Sequence, residues 1–340
     1  MIDSPQVFGD GYVPTIVGRE SEKQALETAL KPIARGEPSH NCLLHGPTGV
    51  GKTATTRYML AELERVGSQF RSTYVSCLAN ADRRSIIAAV AESVLATPSR
   101  AQSLSHGRLL REMRAEIDAP FVVVLDEADY LGKESRAALY DLYETPQVSV
   151  ILIVNDRTAF LGNLRDRIHS RYQAAREIHF DKYSEESLAD IVEGRAGAGL
   201  RAGVVDDEAV RTVAAVADNA RAAVQILQTA ARSALDGRIT PEDVVEAVPD
   251  ARETLRDRAL SRLGDRHRYV FEILEESGPM KAADIRERYA EVTGDEVSSS
   301  TISRYLSKLT EYDCVEAEGR TSGRVYHVRE LPGGVPEMPV

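Results

Sequence analysis

Tryptophan is absent from this chain, and its 340 residues include only three cysteines, five methionines and six phenylalanines. With aromatics at 6%, the cores have to be filled by aliphatic side chains rather than by stacked rings. Cys42, Cys77 and Cys314 are odd in number and widely spaced, which excludes a disulfide framework. Buried free thiols in a reducing cytoplasm are expected, not a metal site. No apolar run approaches the roughly eighteen residues of a membrane helix. The segment Met1-Ile2-Asp3-Ser4-Pro5 has neither the basic region nor the apolar stretch of a secretory signal. The expectation is a cytoplasmic protein with no membrane partner.

Lysine is scarce as well. Of 42 basic residues seven are lysines, which leaves 35 arginines, and the formal net charge is −11. An acidic, arginine-rich chain suits a saline cytoplasm or a GC-rich genome, so global charge says little about the ligand. Local charge has to decide.

What is present starts with Gly46-Pro47-Thr48-Gly49-Val50-Gly51-Lys52-Thr53. The glycines let backbone N–H groups turn inward on phosphate oxygens, and Lys52 reaches the β- and γ-phosphates. The Thr53 hydroxyl is placed to ligate Mg²⁺. An apolar run at 41–45 precedes this loop as a strand, and an amphipathic helix follows from 52 to about 66 before Gly67 stops it. Strand, glycine loop and helix are what nucleotide binding requires.

A second apolar strand, 121–125, ends in Asp126-Glu127-Ala128-Asp129. Strands buried on both faces belong to parallel sheets, whose C-terminal tips hold ligands. Asp126 would hold Mg²⁺ through its water shell, and Glu127 would act as general base on the attacking water. Asp129 is equally readable as the cap of the next helix. A third strand, 148–154, ends at Asn155, placed to hold the lytic water and sense the γ-phosphate.

Strands near 41–45, 72–77, 121–125, 148–154 and 176–180 alternate with helical stretches, the pattern of a five-stranded parallel α/β nucleotide-binding domain. From 184 to 248 the pattern is helical only. Ser184, then Asp206 or Asp207, Asn219 and Thr240-Pro241 open successive helices, which read as a lid. Three further helices and two short β-prone runs follow, the latter joined by Glu318-Gly319-Arg320-Thr321-Ser322-Gly323-Arg324, as in a winged helix-turn-helix. The expected organisation is a nucleotide-binding domain over 1–180, a helical lid over 181–250, a linker helix over 251–262, a winged helix over 263–330 and a flexible tail over 331–340.

The last of those helices puts Ser299, Ser300, Thr301, Ser303, Arg304, Ser307 and Lys308 on its outer face, with Ile302, Leu306 and Leu309 at core spacing. Hydroxyls and arginine near a helix N-terminus suit base edges and phosphates of duplex DNA, as do Arg320, Ser322 and Arg324 at the wing tip. Between 297 and 329 there are five basic and four acidic residues, a local +1 in an acidic chain.

These parts, in order along nearly the whole chain, resemble the archaeal origin-recognition and Cdc-six type replication initiators, which are AAA+ ATPases. Asp10-Gly11-Tyr12-Val13-Pro14, followed by Gly18-Arg19-Glu20, resembles that family's opening segment, and the resemblance implies that Val13 and Pro14 line the adenine. Gly46 to Thr53 match its Walker A, Asp126 and Glu127 its Walker B, and Asn155 its sensor 1. Arg167-Ile168-His169-Ser170-Arg171 resembles the segment offering an arginine to a neighbouring nucleotide, with Arg167 and Arg171 both open for that role. Asp218-Asn219-Ala220-Arg221 resembles sensor 2, with Arg221 toward the γ-phosphate, although the family usually has Gly-Asp before the Ala-Arg.

The resemblance implies a slow, switch-like ATPase using ATP/ADP and Mg²⁺. It implies binding to double-stranded DNA at origin repeats, helicase recruitment, association with other initiator copies and a place at the nucleoid. A clamp-loader or helicase-loader AAA+ subunit usually lacks the winged helix. A AAA+ signalling ATPase with a winged-helix regulatory module more often has arginine at the strand tip held here by Asn155. A DNA-partition or regulatory relative stays open.

Overall fold

In the computed structural model the chain is described over residues 1–9, 11–12, 15–80, 82–132, 134–162, 175–234, 237–319 and 323–329. It divides into two compact units, Val13–Tyr183, and Met1–Tyr12 together with the chain from Ser184 onward.

The first unit is built on a five-stranded sheet of β1 (Cys42–His45), β2 (Arg71–Ser76), β3 (Phe121–Asp126), β4 (Val148–Val154) and β5 (Arg176–His179), in the order β2-β3-β4-β1-β5. Every pairing is parallel, so the expected α/β class is the one observed. The apolar runs serve both faces at once. Phe121, Val123 and Leu125 of β3 join one core with Val150 and Leu152 of β4. Val122 and Val124 join the other with Ile151 and Ile153. Alternate residues of a strand point to opposite faces, so a continuous apolar run means helices on both sides.

Those helices are present. Leu26 and Leu30 of Glu20–Leu30 and Leu60 of Lys52–Arg65 cover one face. Ile86 and Ile87 of Arg83–Glu92, Leu109 and Met113 of His106–Glu116, and Leu139 and Leu142 of Ala137–Tyr143 cover the other. Each fully buried aliphatic side chain contributes roughly 1.5–3 kcal/mol. The strand order also positions the site. Because β4 lies between β1 and β3, its tip falls between the glycine loop after β1 and the acidic end of β3.

The second unit opens on the helices Glu185–Gly199, Asp207–Val216, Ala220–Ser233 and Pro241–Leu263. Ser184, Asp206, Asn219 and Thr240 cap them with side-chain oxygens, which decides for Asp206 over Asp207. The last of these is one 23-residue helix continuing through Pro249, so it crosses the lid–linker boundary drawn from the sequence. Residues 1–12 also depart from the sequence reading. Asp3 N–H donates to the Gly199 carbonyl at 2.9 Å, and a β-carbon on Gly199 would meet the Phe8 ring at 2.7 Å. The N-terminal turn is therefore packed against the end of the helix Glu185–Gly199.

Helices Asp265–Ser277, Ala282–Thr293 and Ser299–Glu311 follow, with a three-stranded antiparallel sheet of β6 (Met280–Lys281), β7 (Val315–Glu318) and β8 (Val325–Val328) in the order β6-β8-β7. This matches the winged-helix pattern. All three cysteines are buried free thiols, and burial pushes Cys42 and Cys314 up to about 12. No described helix is long and apolar enough to cross a membrane.

Candidate functional site

The loop after β1 has Gly46, Gly49 and Gly51 at positive φ of 143°, 78° and 89°. Gly51 is the N-cap of Lys52–Arg65, and among the described residues no side chain caps that helix. Its first N–H groups, carrying the positive end of the helix dipole, are left for an anion. Lys52 is buried, and its ammonium donates to the carbonyls of Gly46 at 2.6 Å and Pro47 at 2.7 Å and to Asn155 Oδ1 at 3.0 Å. The Thr53 hydroxyl donates to Asp126 Oδ2 at 2.7 Å. Three strand tips, β1, β3 and β4, thus meet over one loop.

The electrostatics favour cations near Asp126. Burial pushes its carboxyl above the ordinary range, the Glu127 charge adds to this, and the Thr53 hydroxyl opposes it. A carboxylate disfavoured by desolvation gains most from a divalent ion. Glu127 sits at φ 58°, an uncommon backbone for a non-glycine residue. Ser76 at the tip of β2 donates to Glu127 Oε2 at 3.1 Å.

The donor set fits a nucleotide triphosphate with Mg²⁺. The helix N-terminus is uncapped, an ammonium sits in the loop, and a hydroxyl and a carboxylate lie side by side. The buried Thr48 hydroxyl has no hydrogen-bond partner among the described residues. Pro47 is exposed, and Val50 is buried beneath the loop.

Not every expected residue is gathered here. Arg221 lies in the other unit, exposed in the first turn of Ala220–Ser233. Asn219 caps that helix by accepting the Ala222 N–H at 3.0 Å, which accounts for asparagine where aspartate is usual, since either caps well. Val13, Pro14, Arg167, Arg171, Arg320 and Ser322 lie outside the described residues. Ser299, Ser300, Ser303, Arg304 and Ser307 are exposed on the helix Ser299–Glu311, Thr301 is half-buried and Arg324 is exposed on the wing. Lys308 requires correction. It is buried at 4% exposure, paired with Glu311 one turn on, because an i,i+3 pair draws the ammonium along its own helix.

Sequence reasoning passed over Ser76. A serine at a strand end carries no signal until β2 is known to lie beside β3, with Ser76 in register with Asp126. Arg19 was legible only as part of a resemblance.

Comparison with known proteins decides the family. The "ORC1-type DNA replication protein 9" of Halobacterium salinarum is 33% identical over 333 residues, covering 96% of this chain and 93% of that protein. This chain belongs to the ORC1-type DNA replication proteins.

The AAA ATPase domain matches residues 15–154, so this ORC1-type protein is a AAA+ ATPase. "ORC1-type DNA replication protein 1" of the same organism is 31% identical over 87% of this chain and 97% of its own length. Among solved structures, the Aeropyrum pernix ORC1 protein in complex with DNA is 28% identical with a TM-score of 0.76, covering 96% of this chain and 94% of that one. The Aeropyrum pernix ORC2 protein, solved as ADPNP-ADP complexes, is 19% identical with a TM-score of 0.64 and shows the fold alone. The expected family, fold class and ATPase character of this ORC1-type chain stand.

Proposed function

We propose that this initiator uses ATP as a switch for gripping duplex DNA at origin repeats and helps recruit the replicative helicase, alone or with other initiator copies. The observation that carries the reading is the meeting of the three strand tips, in which Lys52 reaches Asn155 and Thr53 reaches Asp126.

In this reading the backbone from Gly46 to Thr53 cradles the phosphates, with Lys52 on the β- and γ-oxygens. Mg²⁺ held by Thr53 and Asp126 would neutralise charge developing on those oxygens. Asn155 holds the lytic water and Glu127 takes its proton. Val13 and Pro14 line the base, Arg221 senses the γ-phosphate, and Arg167 or Arg171 serves a neighbouring nucleotide. Ser76 holds Glu127 by one carboxylate oxygen and leaves the other to take the proton.

DNA binding is supported by the exposed hydroxyls and Arg304 on Ser299–Glu311, by Arg324, and by the relative solved with DNA. The test is footprinting of genomic DNA with ATP, with ADP and with neither. A discrete protected repeat that depends on ATP is expected, and Arg304→Ala or Arg324→Ala should weaken it by about 1–3 kcal/mol. Protection without sequence preference, unchanged by nucleotide, would end the proposal.

A further inference from the structure

One short segment backs the phosphate loop at both ends. A β-carbon on Gly46 would lie 2.1 Å from the Phe180 carbonyl oxygen, and one on Gly51 would lie 2.6 Å from the Tyr183 hydroxyl. Both glycines have positive φ, so the loop is pressed against residues 180–183 where its backbone is least ordinary. Phe180 N–H also donates to the His45 carbonyl, one residue before the loop, at 2.8 Å. Wherever residues 180–183 are held, the loop follows.

Arg19 holds them. Its guanidinium lies 3.9 Å from the centre of the Tyr183 ring and 5.5 Å from that of Phe180. One terminal nitrogen donates to the Asp181 carbonyl at 2.6 Å and the other to Glu22 Oε1 at 2.7 Å. Ser21 then donates to Glu22 Oε2 at 2.6 Å. Arg19 is 4% exposed and Glu22 7%. A guanidinium so desolvated is tolerable only with its charge paired; Glu22 supplies that charge and both terminal nitrogens donate, while Nε has no hydrogen-bond partner among the described residues. A planar fork can stack on one ring while donating at its edge, which a lysine ammonium cannot do.

We propose that Arg19 is a positioning residue for phosphate binding. Acting through Phe180 and Tyr183, it holds the loop in the conformation whose N–H groups converge, and so sets the affinity for the diphosphate part of the nucleotide. The proposal rests on the reading of this loop as the nucleotide site. It makes Arg19 neither a ligand of the base nor a general stabiliser.

The test uses the full chain and calorimetric titration with ADP and, separately, inorganic pyrophosphate, well below the unfolding temperature of each variant. Arg19→Met is expected to weaken ADP and pyrophosphate by the same factor, roughly ten- to a hundredfold, as a misplaced cradle would. Tyr183→Phe should weaken both by less in the parent chain and add nothing in the Arg19→Met background, because the two act as one unit. A loss of thermal stability with ADP affinity at the parent value would reduce Arg19 to a packing role and overturn the proposal. So would a loss for ADP with none for pyrophosphate, which would assign Arg19 to the base. If Arg19→Met does not fold, Arg19→Lys decides, since it keeps the Glu22 charge pair and loses the stack; parent-like ADP affinity would then overturn the proposal. A parent chain that binds neither probe fails the nucleotide reading itself, a result separable from any behaviour of the variants.

Discussion

Two helix N-termini in this protein are built in opposite ways. Lys52–Arg65 starts at Gly51, with no side chain on its first N–H groups. Ser299–Glu311 starts at Ser298, whose hydroxyl accepts the Thr301 N–H at 3.2 Å. In the proposed reading bare backbone is the binding surface of the first, so the residue has to be glycine and the loop has to be braced from behind. In the second, the backbone is already satisfied, and the proposed recognition passes to side chains, for which many residue types serve. Chemistry done by backbone fixes sequence more tightly than chemistry done by exposed side chains.

The largest expected effect tests the phosphate end, where one side chain stands on an unusual backbone. Glu127→Gln is expected to keep ATP affinity within a few-fold and to lower turnover by roughly two to four orders of magnitude. Steady-state hydrolysis beside equilibrium nucleotide binding checks this. Unchanged turnover would remove Glu127 from the chemistry and leave its φ of 58° as a turn feature. It would also remove the contrast between a site with fixed residues and one with exchangeable ones.

The same contrast explains what the sequence disclosed. β3 and β4 were legible because strands buried on both faces have to be apolar throughout, and Gly46 to Thr53 because phosphate contact demands that spacing. The helix caps at Ser184, Asn219 and Thr240 were legible because few side chains can accept a first-turn N–H. Ser76 was not, since its partner Glu127 lies 51 residues away on a strand whose neighbour only the sheet order reveals. Lys308 was misplaced because helical periodicity gives a residue's direction and not the length of its stem. The bracing of Gly46 and Gly51 by residues 180–183 was hidden too, as a glycine gives no sign of what lies behind it.

A smaller effect, in stability, concerns the helices from Asp265 to Glu311. His267 is buried, with its Nδ1 2.9 Å from the Leu263 carbonyl and its ring edge-on to Tyr305 at 4.7 Å. Burial lowers its pKa from 6.5 to about 4, with the Arg304 and Lys308 charges adding and the Leu263 carbonyl opposing. The folded state therefore binds the proton less readily than the unfolded chain. This histidine's contribution is complete above 6.5, fades as pH falls and is lost through the folded-state value. The span corresponds to about 3 kcal/mol. Denaturant melts at pH 7 and pH 4.5 should show the parent losing more stability than His267→Gln. Equal losses would mean the ring reaches solvent, and that the helix Ser299–Glu311 rests on a looser core than its burial indicates.

The smallest expected effect separates the two kinds of helix start directly. Ser298 also shares hydrogen bonds with the hydroxyls of Ser300 at 2.8 Å and Thr301 at 2.9 Å, so it ties down the first turn of Ser299–Glu311. Ser298→Ala should cost about 1 kcal/mol of stability, as the loss of a cap does. Its effect on duplex affinity should stay within about threefold, with the dependence on salt unchanged, because no phosphate contact is gained or lost. The informative failure is tighter binding with a steeper salt dependence. That result would mean the N–H groups freed by the substitution had taken a DNA phosphate. The helix start would then behave as the one after Gly51 is built to behave, and Ser298 would be masking an anion site rather than completing a helix.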